Sequence, residues 1–320
     1  MEIKTRKIGI VGVGHVGAHC AFSLAIQGLA DELVLVDLKE EKMTAEVQDI
    51  RDAAMFFPHR VIINRGTYAD LGDCDIIVNA VGAIAVIGTD THLDRTIEME
   101  YTIHQVREMM PKIMASGFNG IIISISNPCD VVTGIVAELS GLPKGHVFGT
   151  GTGLDSSRLI SELSLQTGVD HKAINAHMLG EHGMSQMAAW SCVTFGGVPL
   201  SVLEKTDERF VFDHEEMRMK ATQGGFVTYR GKQCTEYGIC AVLARDVRCV
   251  LHDEKCIVPA SMLLGGEYGE HDVFVGVPCV IGKNGVERVL ELPLTEEEKA
   301  EFHACCEVVR GNIEKAKNIK

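Results

Sequence analysis

Two short glycine-flanked segments carry most of the chemistry open to this chain. In Gly180-Glu181-His182-Gly183, the His182 imidazole is a side chain suited to moving a proton near neutral pH, and the glycines allow close approach of a substrate. In Gly12-Val13-Gly14-His15-Val16-Gly17, glycines permit a tight turn and close approach of backbone to a pyrophosphate. Between them, Leu154-Asp155-Ser156-Ser157-Arg158 places a carboxylate and a guanidinium at i and i+3, on one face of a predicted helix. A carboxylate can orient an imidazole and steady its charged form, and a guanidinium fork matches the two oxygens of a carboxylate. Reducing a 2-oxo acid needs a hydride source, a proton donor, a clamp for the acid group and a stabiliser for the growing oxyanion. Each feature alone has a plainer reading. His182 is one of 13 histidines, and Asp155 with Arg158 resembles an ordinary helical ion pair. The combination carries the expectation.

The glycine segment follows a predicted strand and opens a predicted helix, so its first N–H groups would face a bound phosphate. Asp37 ends the next predicted strand, 20 residues beyond Gly17. There a carboxylate accepts bonds from both ribose hydroxyls and repels a 2′-phosphate, which favours NAD over NADP. Lys39, two residues on, is a mild signal the other way.

The elements that must position these residues alternate. Apolar, β-branched runs predict strands over residues 8–13, 32–36, 61–64, 75–81 and 121–126. Helices are expected over 15–27, 40–54 and 93–116, with Pro111 and Gly117 shaping the end of the last. Continuous apolar strands separated by helices predict an α/β fold, a Rossmann-type doubly wound parallel sheet covered on both faces. Near residue 150 the pattern changes. Helices are expected over 154–167, 215–228 and 235–246, and alternation over 187–195. Short strands with glycine turns over 256–292 suggest antiparallel pairing, followed by a capped C-terminal helix from Thr295 to about Ala316. The expectation is an NAD-binding domain over 1–148 and an α+β catalytic, substrate-binding domain over 149–320.

Composition narrows the partners. With 46% hydrophobic and 23% charged residues over 320 positions, the chain reads as an ordinary globular protein. A net charge of −14 without a basic block disfavours nucleic acid. No leader-like start precedes the first strand, and no apolar run reaches the roughly 18 residues of a membrane helix, so a cytoplasmic protein is expected. The 11 cysteines are scattered, with no Cys-x-x-Cys. The nearest metal-like cluster, Cys249, His252 and Cys256, has loose spacing, and the preferred reading is reduced core cysteines without a metal.

Across essentially its full length the chain resembles the L-lactate/malate dehydrogenase superfamily. The resemblance rests on residues 12–17, Asp37, Val81-Gly82-Ala83, Ile125-Ser126-Asn127-Pro128, the run 149–158 and residues 180–183, in the family's order and spacing. Within it, Gly117-Phe118-Asn119-Gly120 and Ser185-Gln186 are most similar to the L-2-hydroxyisocaproate dehydrogenase branch. The resemblance implies that His182 exchanges the proton, Asp155 orients it, Arg158 holds the substrate carboxylate, Asn127 bonds the reacting oxygen and Thr235 lines the pocket. Gly12, Gly14, His15, Val16, Gly17, Asp37, Tyr68, Gly82, Ala83 and Thr150 would lie along NAD. A homodimer or homotetramer is implied as well.

The chain departs from the family in the loop that selects substrate. It reads Ala83-Ile84-Ala85-Val86-Ile87-Gly88-Thr89-Asp90-Thr91-His92-Leu93-Asp94-Arg95. A register on Gly88 puts Thr91 or His92 where the family has a catalytic arginine. A register on Asp94-Arg95 supplies Arg95, which the chemistry prefers, because a developing oxyanion needs a cation. The uncharged segment 85–88 offers nothing to a second carboxylate, and small Cys234 and Gly238 beside Thr235 suggest room for a large side chain. The expected activity is therefore an NAD-dependent L-2-hydroxy acid dehydrogenase for branched or aromatic 2-oxo acids. L-lactate dehydrogenase, less so malate dehydrogenase, and a catalytically silent NAD-binding protein are the alternatives.

Overall fold

The computed structural model describes residues 5–82 and 95–319. The N-terminal half runs β1 (Lys7–Val11), α1 (His15–Ile26), β2 (Glu32–Val36), α2 (Glu40–Ala54), β3 (Ile62–Arg65), β4 (Ile76–Asn79), α3 (Arg95–Ala115), β5 (Ile121–Ser124), α4 (Cys129–Ser140) and β6 (Val147–Gly149). These strands pair in parallel in the order β3-β2-β1-β4-β5-β6. This is the doubly wound arrangement expected from the alternating apolar runs.

Strand residues alternate between two cores. Ile8, Ile10, Leu33, Leu35, Ile76 and Val78 face one apolar layer, together with Leu24 of α1 and Val47 of α2. Val34, Val36, Ile77 and Ile122 face the other, with Val106 of α3 and Val132 of α4. Both faces are covered, which is why the strands read as unbroken apolar runs. The sequence reading named no element over 129–140, where α4 lies. It also took Pro111 to shape the end of its helix. In the structure Pro111 sits inside α3, which continues to Ala115. Met109, Met110 and Ile113 are buried against the sheet on either side of it, and this packing outweighs the missing N–H.

The C-terminal half adds α5 (Gly153–Thr167), β7 (Ile174–Asn175), β8 (Met178–Leu179), β9 (Met187–Ala188), β10 (Thr194–Phe195), β11 (Val198–Pro199), α6 (Leu200–Leu203), α7 (His214–Lys232), α8 (Tyr237–Leu251), β12 (Cys256–Gly265), β13 (His271–Gly282), β14 (Gly285–Val289) and α9 (Glu296–Lys317). Strands β12, β13 and β14 pair antiparallel, as expected. They also extend the parallel sheet, because Ser261 of β12 pairs antiparallel with Gly149 of β6. One nine-stranded sheet thus runs across the boundary expected at 148/149. Asp213 caps α7, which reaches four residues further than its apolar pattern suggested. Thr295 and Glu298 form the capping box that opens α9. Among the described residues, no helix is long and apolar enough to cross a membrane.

Candidate active site

The carboxyl edge of the parallel sheet gathers the sequence candidates. Gly12 follows β1, Asp37 follows β2, Gly82 lies beyond β4, Asn127 beyond β5 and Thr150 beyond β6. Strand order reverses between β1 and β4, where an open α/β sheet leaves a crevice. There a cleft of about 950 Å³ is lined by all of these residues and by Gly14, His15, Val16, Gly17, Tyr68 and Thr235. It continues without a break to Asp155, Arg158 and His182. Ala83 lies outside the described residues, as does the side chain of Arg95, which opens α3.

Two glycines of the turn after β1 stand where a side chain would not fit. Gly12 has φ +92°, and a Cβ there would meet the Ala80 carbonyl oxygen at 2.7 Å. A Cβ on Gly17 would lie 1.9 Å from the Gly12 oxygen, so this glycine lets α1 cross β1. Gly14 faces open space, in the cleft at the N-terminus of α1. Asp37 Oδ2 accepts from Val13 N at 2.6 Å and Oδ1 from Lys39 N at 2.8 Å. The carboxylate is therefore fixed at the end of β2 with lone pairs left for ribose hydroxyls. A cradle of this shape, with an open glycine, a helix N-terminus and an anchored acid, fits a dinucleotide.

At the far end of the cleft, α5 holds Asp155 in its first turn, 1% exposed. Its Oδ2 lies 2.6 Å from His182 Nδ1. Its Oδ1 accepts from Arg158 at 3.2 Å and from Gln186 Nε2 at 3.4 Å. Burial alone would push this carboxyl up. The charge and hydrogen bond of His182, the charge of Arg158 and the Gln186 bond outweigh burial and hold it below the ordinary carboxylate range. Arg158 lies against a notch in α7, its Nη2 being 3.2 Å from where a Gly225 Cβ would stand and its Cδ 3.3 Å from that of Gly224.

The glycines around His182 serve packing rather than substrate approach. Gly180 has φ +90°, and its absent Cβ would strike Cys305 at 2.7 Å. A Cβ on Gly183 would strike the Glu181 carboxylate. Likewise the space at Gly238 is filled, because Leu154 Cδ1 would lie 2.6 Å from a Cβ there. Buried Cys234 turns its thiol to Glu236 Oε1 at 2.7 Å. The room inferred beside Thr235 from small residues is thus taken up by the protein itself.

Sequence reasoning missed Asp130. It lies in the first turn of α4, accepts from His182 N at 2.8 Å through Oδ2, and accepts from Ser261 Oγ at 2.6 Å through Oδ1. The available signal was a carboxylate two residues after Pro128 at the head of an apolar helix. Burial pushes Asp130 up to about 6, with Ser261 and the His182 N–H offsetting only part of it. A second residue without a local signal for its role is Gln186, whose amide bridges Asp155 and the Gly183 oxygen, the latter at 2.7 Å.

A dinucleotide cradle joined to a carboxylate–imidazole–guanidinium cluster defines an NAD-dependent 2-hydroxy acid oxidoreductase. The models of the lactate/malate dehydrogenase NAD binding domain and alpha/beta C-terminal domain match residues 6–149 and 152–320. An L-lactate dehydrogenase of Fusobacterium nucleatum subsp. nucleatum is 42% identical over 320 residues, covering 99% of each chain. L-lactate dehydrogenase 1 of Bifidobacterium longum is 41% identical over 316 residues, with 98% of this chain and 99% of the relative covered. The crystal structure of a minor L-lactate dehydrogenase from Enterococcus mundtii in its ligands-bound form superposes with a TM-score of 0.91 at 34% identity, covering 97% of this chain and 98% of that one. The chain belongs to the lactate/malate dehydrogenase family. These matches establish the superfamily and do not single out the hydroxyisocaproate branch.

The raised Asp130 carboxyl has a consequence for stability. Its contribution is fully present below the unfolded value of about 3.9 and is lost as pH rises through about 6. Asp130→Asn should remove this loss, worth about 3 kcal/mol between the two limits. Urea melts of both proteins at a series of pH values check it. The variant's stability relative to wild type should rise from pH 4 to pH 7, and parallel curves would show that Asp130 titrates normally.

Proposed function

We propose that this enzyme is an L-lactate dehydrogenase in activity, interconverting pyruvate and L-lactate with NAD. The observation that carries the reading is the 2.6 Å contact between His182 Nδ1 and buried Asp155, beside Arg158 and at the end of the dinucleotide cleft. Bound NADH supplies the hydride. The protein's own residues do the rest. Arg158 fixes the carboxylate of the oxo acid, so the carbonyl has one orientation. His182, with Nδ1 held by Asp155, delivers a proton from Nε2 to the carbonyl oxygen and recovers it in the reverse direction. Asp155 keeps the imidazole in one tautomer and stabilises its cation. Asn127 donates to the reacting oxygen, Thr235 borders the substrate, and Arg95 supplies positive charge to the developing oxyanion.

The substrate assignment rests on relatives that are L-lactate dehydrogenases and on the occupied space at Gly238. A bulkier 2-oxo acid is the second reading, favoured by the apolar side chains of Met184, Phe226 and Ile239 in the cleft wall. A division into NAD-binding and catalytic halves near 148/149, and assembly as a homodimer or homotetramer, belong to the same proposal.

Three measurements test it. His182→Ala should lower turnover about 10²–10⁴-fold while NADH binding, read by fluorescence titration, stays near wild type. Near-normal turnover would remove the mechanism. In the second, kcat/KM is compared for pyruvate, oxaloacetate, 4-methyl-2-oxopentanoate and phenylpyruvate. Pyruvate should lead; a lead by either bulky acid would return the assignment to the hydroxyisocaproate branch. The third concerns Asp37, whose charge opposes the extra phosphate of NADPH. Asp37→Ser should narrow the preference for NADH over NADPH by roughly tenfold or more, equivalent to about 1.4 kcal/mol. An unchanged ratio would place the discrimination elsewhere.

A further inference from the structure

Where α8 ends and β12 begins, three side chains of metal-ligand type converge away from the residues that line the cleft. Cys249 is fully buried in the last turn of α8, Cys256 opens β12 half-buried, and Glu254 lies exposed between them. Glu254 Oε2 is 3.6 Å from Cys249 Sγ and 3.4 Å from Cys256 Sγ. All three ligand atoms lie within 4.8 Å of one another. A tetrahedral ion with sulfur at about 2.3 Å and carboxylate oxygen at about 2.0 Å sets each sulfur about 3.5 Å from the oxygen. The observed edges match that figure.

The surroundings hold the carboxylate in this position. Arg248 Nε pairs with both carboxylate oxygens of Glu254, 3.0 Å from Oε1 and donating to Oε2 at 3.3 Å, and so fixes the carboxylate beside the sulfurs. Glu254 N donates to the Cys249 carbonyl at 3.0 Å. The residues on either side, Asp253 at φ +51° and Lys255 at φ +56°, both adopt the left-handed region that non-glycine residues avoid. Asp253 is pinned by Lys283 N at 2.8 Å and by Lys255 Nζ at 2.7 Å. This tight, braced turn folds one acid back over two thiols. The sequence spacing groups His252 with the two cysteines, and the preferred reading there is no metal; in the structure Glu254, not His252, meets the two thiols.

We propose that Cys249, Glu254 and Cys256 form a binding site for a thiophilic divalent cation of the zinc type, with water as the fourth ligand. The ion would join the end of α8, which starts two residues after Thr235, to the start of β12, whose middle carries Ser261. Thiolate ligation releases thiol protons, so binding tightens as pH rises.

Cobalt(II) is the probe, added to the full-length protein after chelator treatment under a non-thiol reductant. One equivalent per chain should bind, with thiolate-to-cobalt charge transfer and the intense visible bands of a tetrahedral site, and zinc should displace it. Cys256→Ser should weaken binding at least tenfold and lose much of the charge-transfer intensity. Glu254→Gln should weaken binding while leaving NADH-dependent reduction unchanged, which also shows that the variant is folded. Cys192→Ser, a change at the other half-exposed thiol, should retain the full spectrum. No charge-transfer band in the wild type, a band of undiminished intensity and affinity in Cys256→Ser, or a band lost in Cys192→Ser would each overturn the site. So would facile closure of a Cys249–Cys256 disulfide in air by a reduced protein that gives no cobalt spectrum. The cobalt readout does not depend on which 2-oxo acid the enzyme prefers, so its failure and that of the lactate reading are separable.

Discussion

The site depends on one ionised carboxylate held inside the protein. Asp155 is 1% exposed, and an isolated charge at that depth would take up a proton rather than stay ionised. It stays ionised because its partners are charged or hydrogen-bonding: His182 on Oδ2, Arg158 and Gln186 on Oδ1. Asp130 provides the contrast within the same structure. It is equally buried, but its two partners are a neutral hydroxyl and a backbone N–H, and its carboxyl is pushed up to about 6. For Asp130 these dipoles and the more distant His182 charge, opposed by Glu181, do not offset the loss of water, whereas the directly bonded His182 and the adjacent Arg158 do so for Asp155. The two acids therefore do different work. Asp155 sets the state of the imidazole, and Asp130 sets the position of the backbone that carries it.

The fold makes this arrangement possible by where its strands end. A parallel sheet sends every strand out at one edge, so residues far apart in sequence meet there without long loops. Gly12, Asp37, Asn127 and Thr150 arrive in this way, each within a few positions of a strand terminus. Helix α5 starts directly after β6 and brings Asp155 and Arg158 to the same edge in its first two turns. The dinucleotide cradle and the His182–Asp155–Arg158 cluster share one cleft because the strand that ends at Gly149 leads straight into the helix that bears the acid.

Much of this was legible in the sequence, for physical reasons. Strands buried on both faces are largely apolar, and the runs at residues 33–36 and 121–123 show it. Glycine at 12 and 17 is obligatory where backbone meets backbone, so the turn declared itself. The pairing of Asp155 with Arg158 followed from helical spacing. What stayed hidden depends on contacts distant in sequence. Asp130 meets His182 across 52 positions and Ser261 across 131, and no local pattern announces either bond. Small residues misled in the opposite direction. Gly180, Gly183 and Gly238 were read as space for substrate, but each is filled by a neighbouring side chain. A missing Cβ shows that something is close without saying whether it is ligand or protein.

The same reasoning explains the glycine-rich run from Gly149 to Gly153, which looks at first like a second phosphate loop. A Cβ on Gly151 would lie 2.5 Å from Ser261 N, and one on Gly149 would lie 3.1 Å from the Ser261 side chain. Across the seam, a Cβ on Gly276 would meet Thr152 Oγ1 at 2.5 Å, and Gly276 itself exchanges backbone bonds with Gly180. These glycines let the antiparallel strands press against the parallel sheet at the point where Ser261 pairs with Gly149. Ser261 then reaches Asp130, and Asp130 reaches His182. The join between the two halves is thus the support of the backbone at His182. A side chain added at Gly149 or Gly151 would press on Ser261, which is two hydrogen bonds from the His182 backbone.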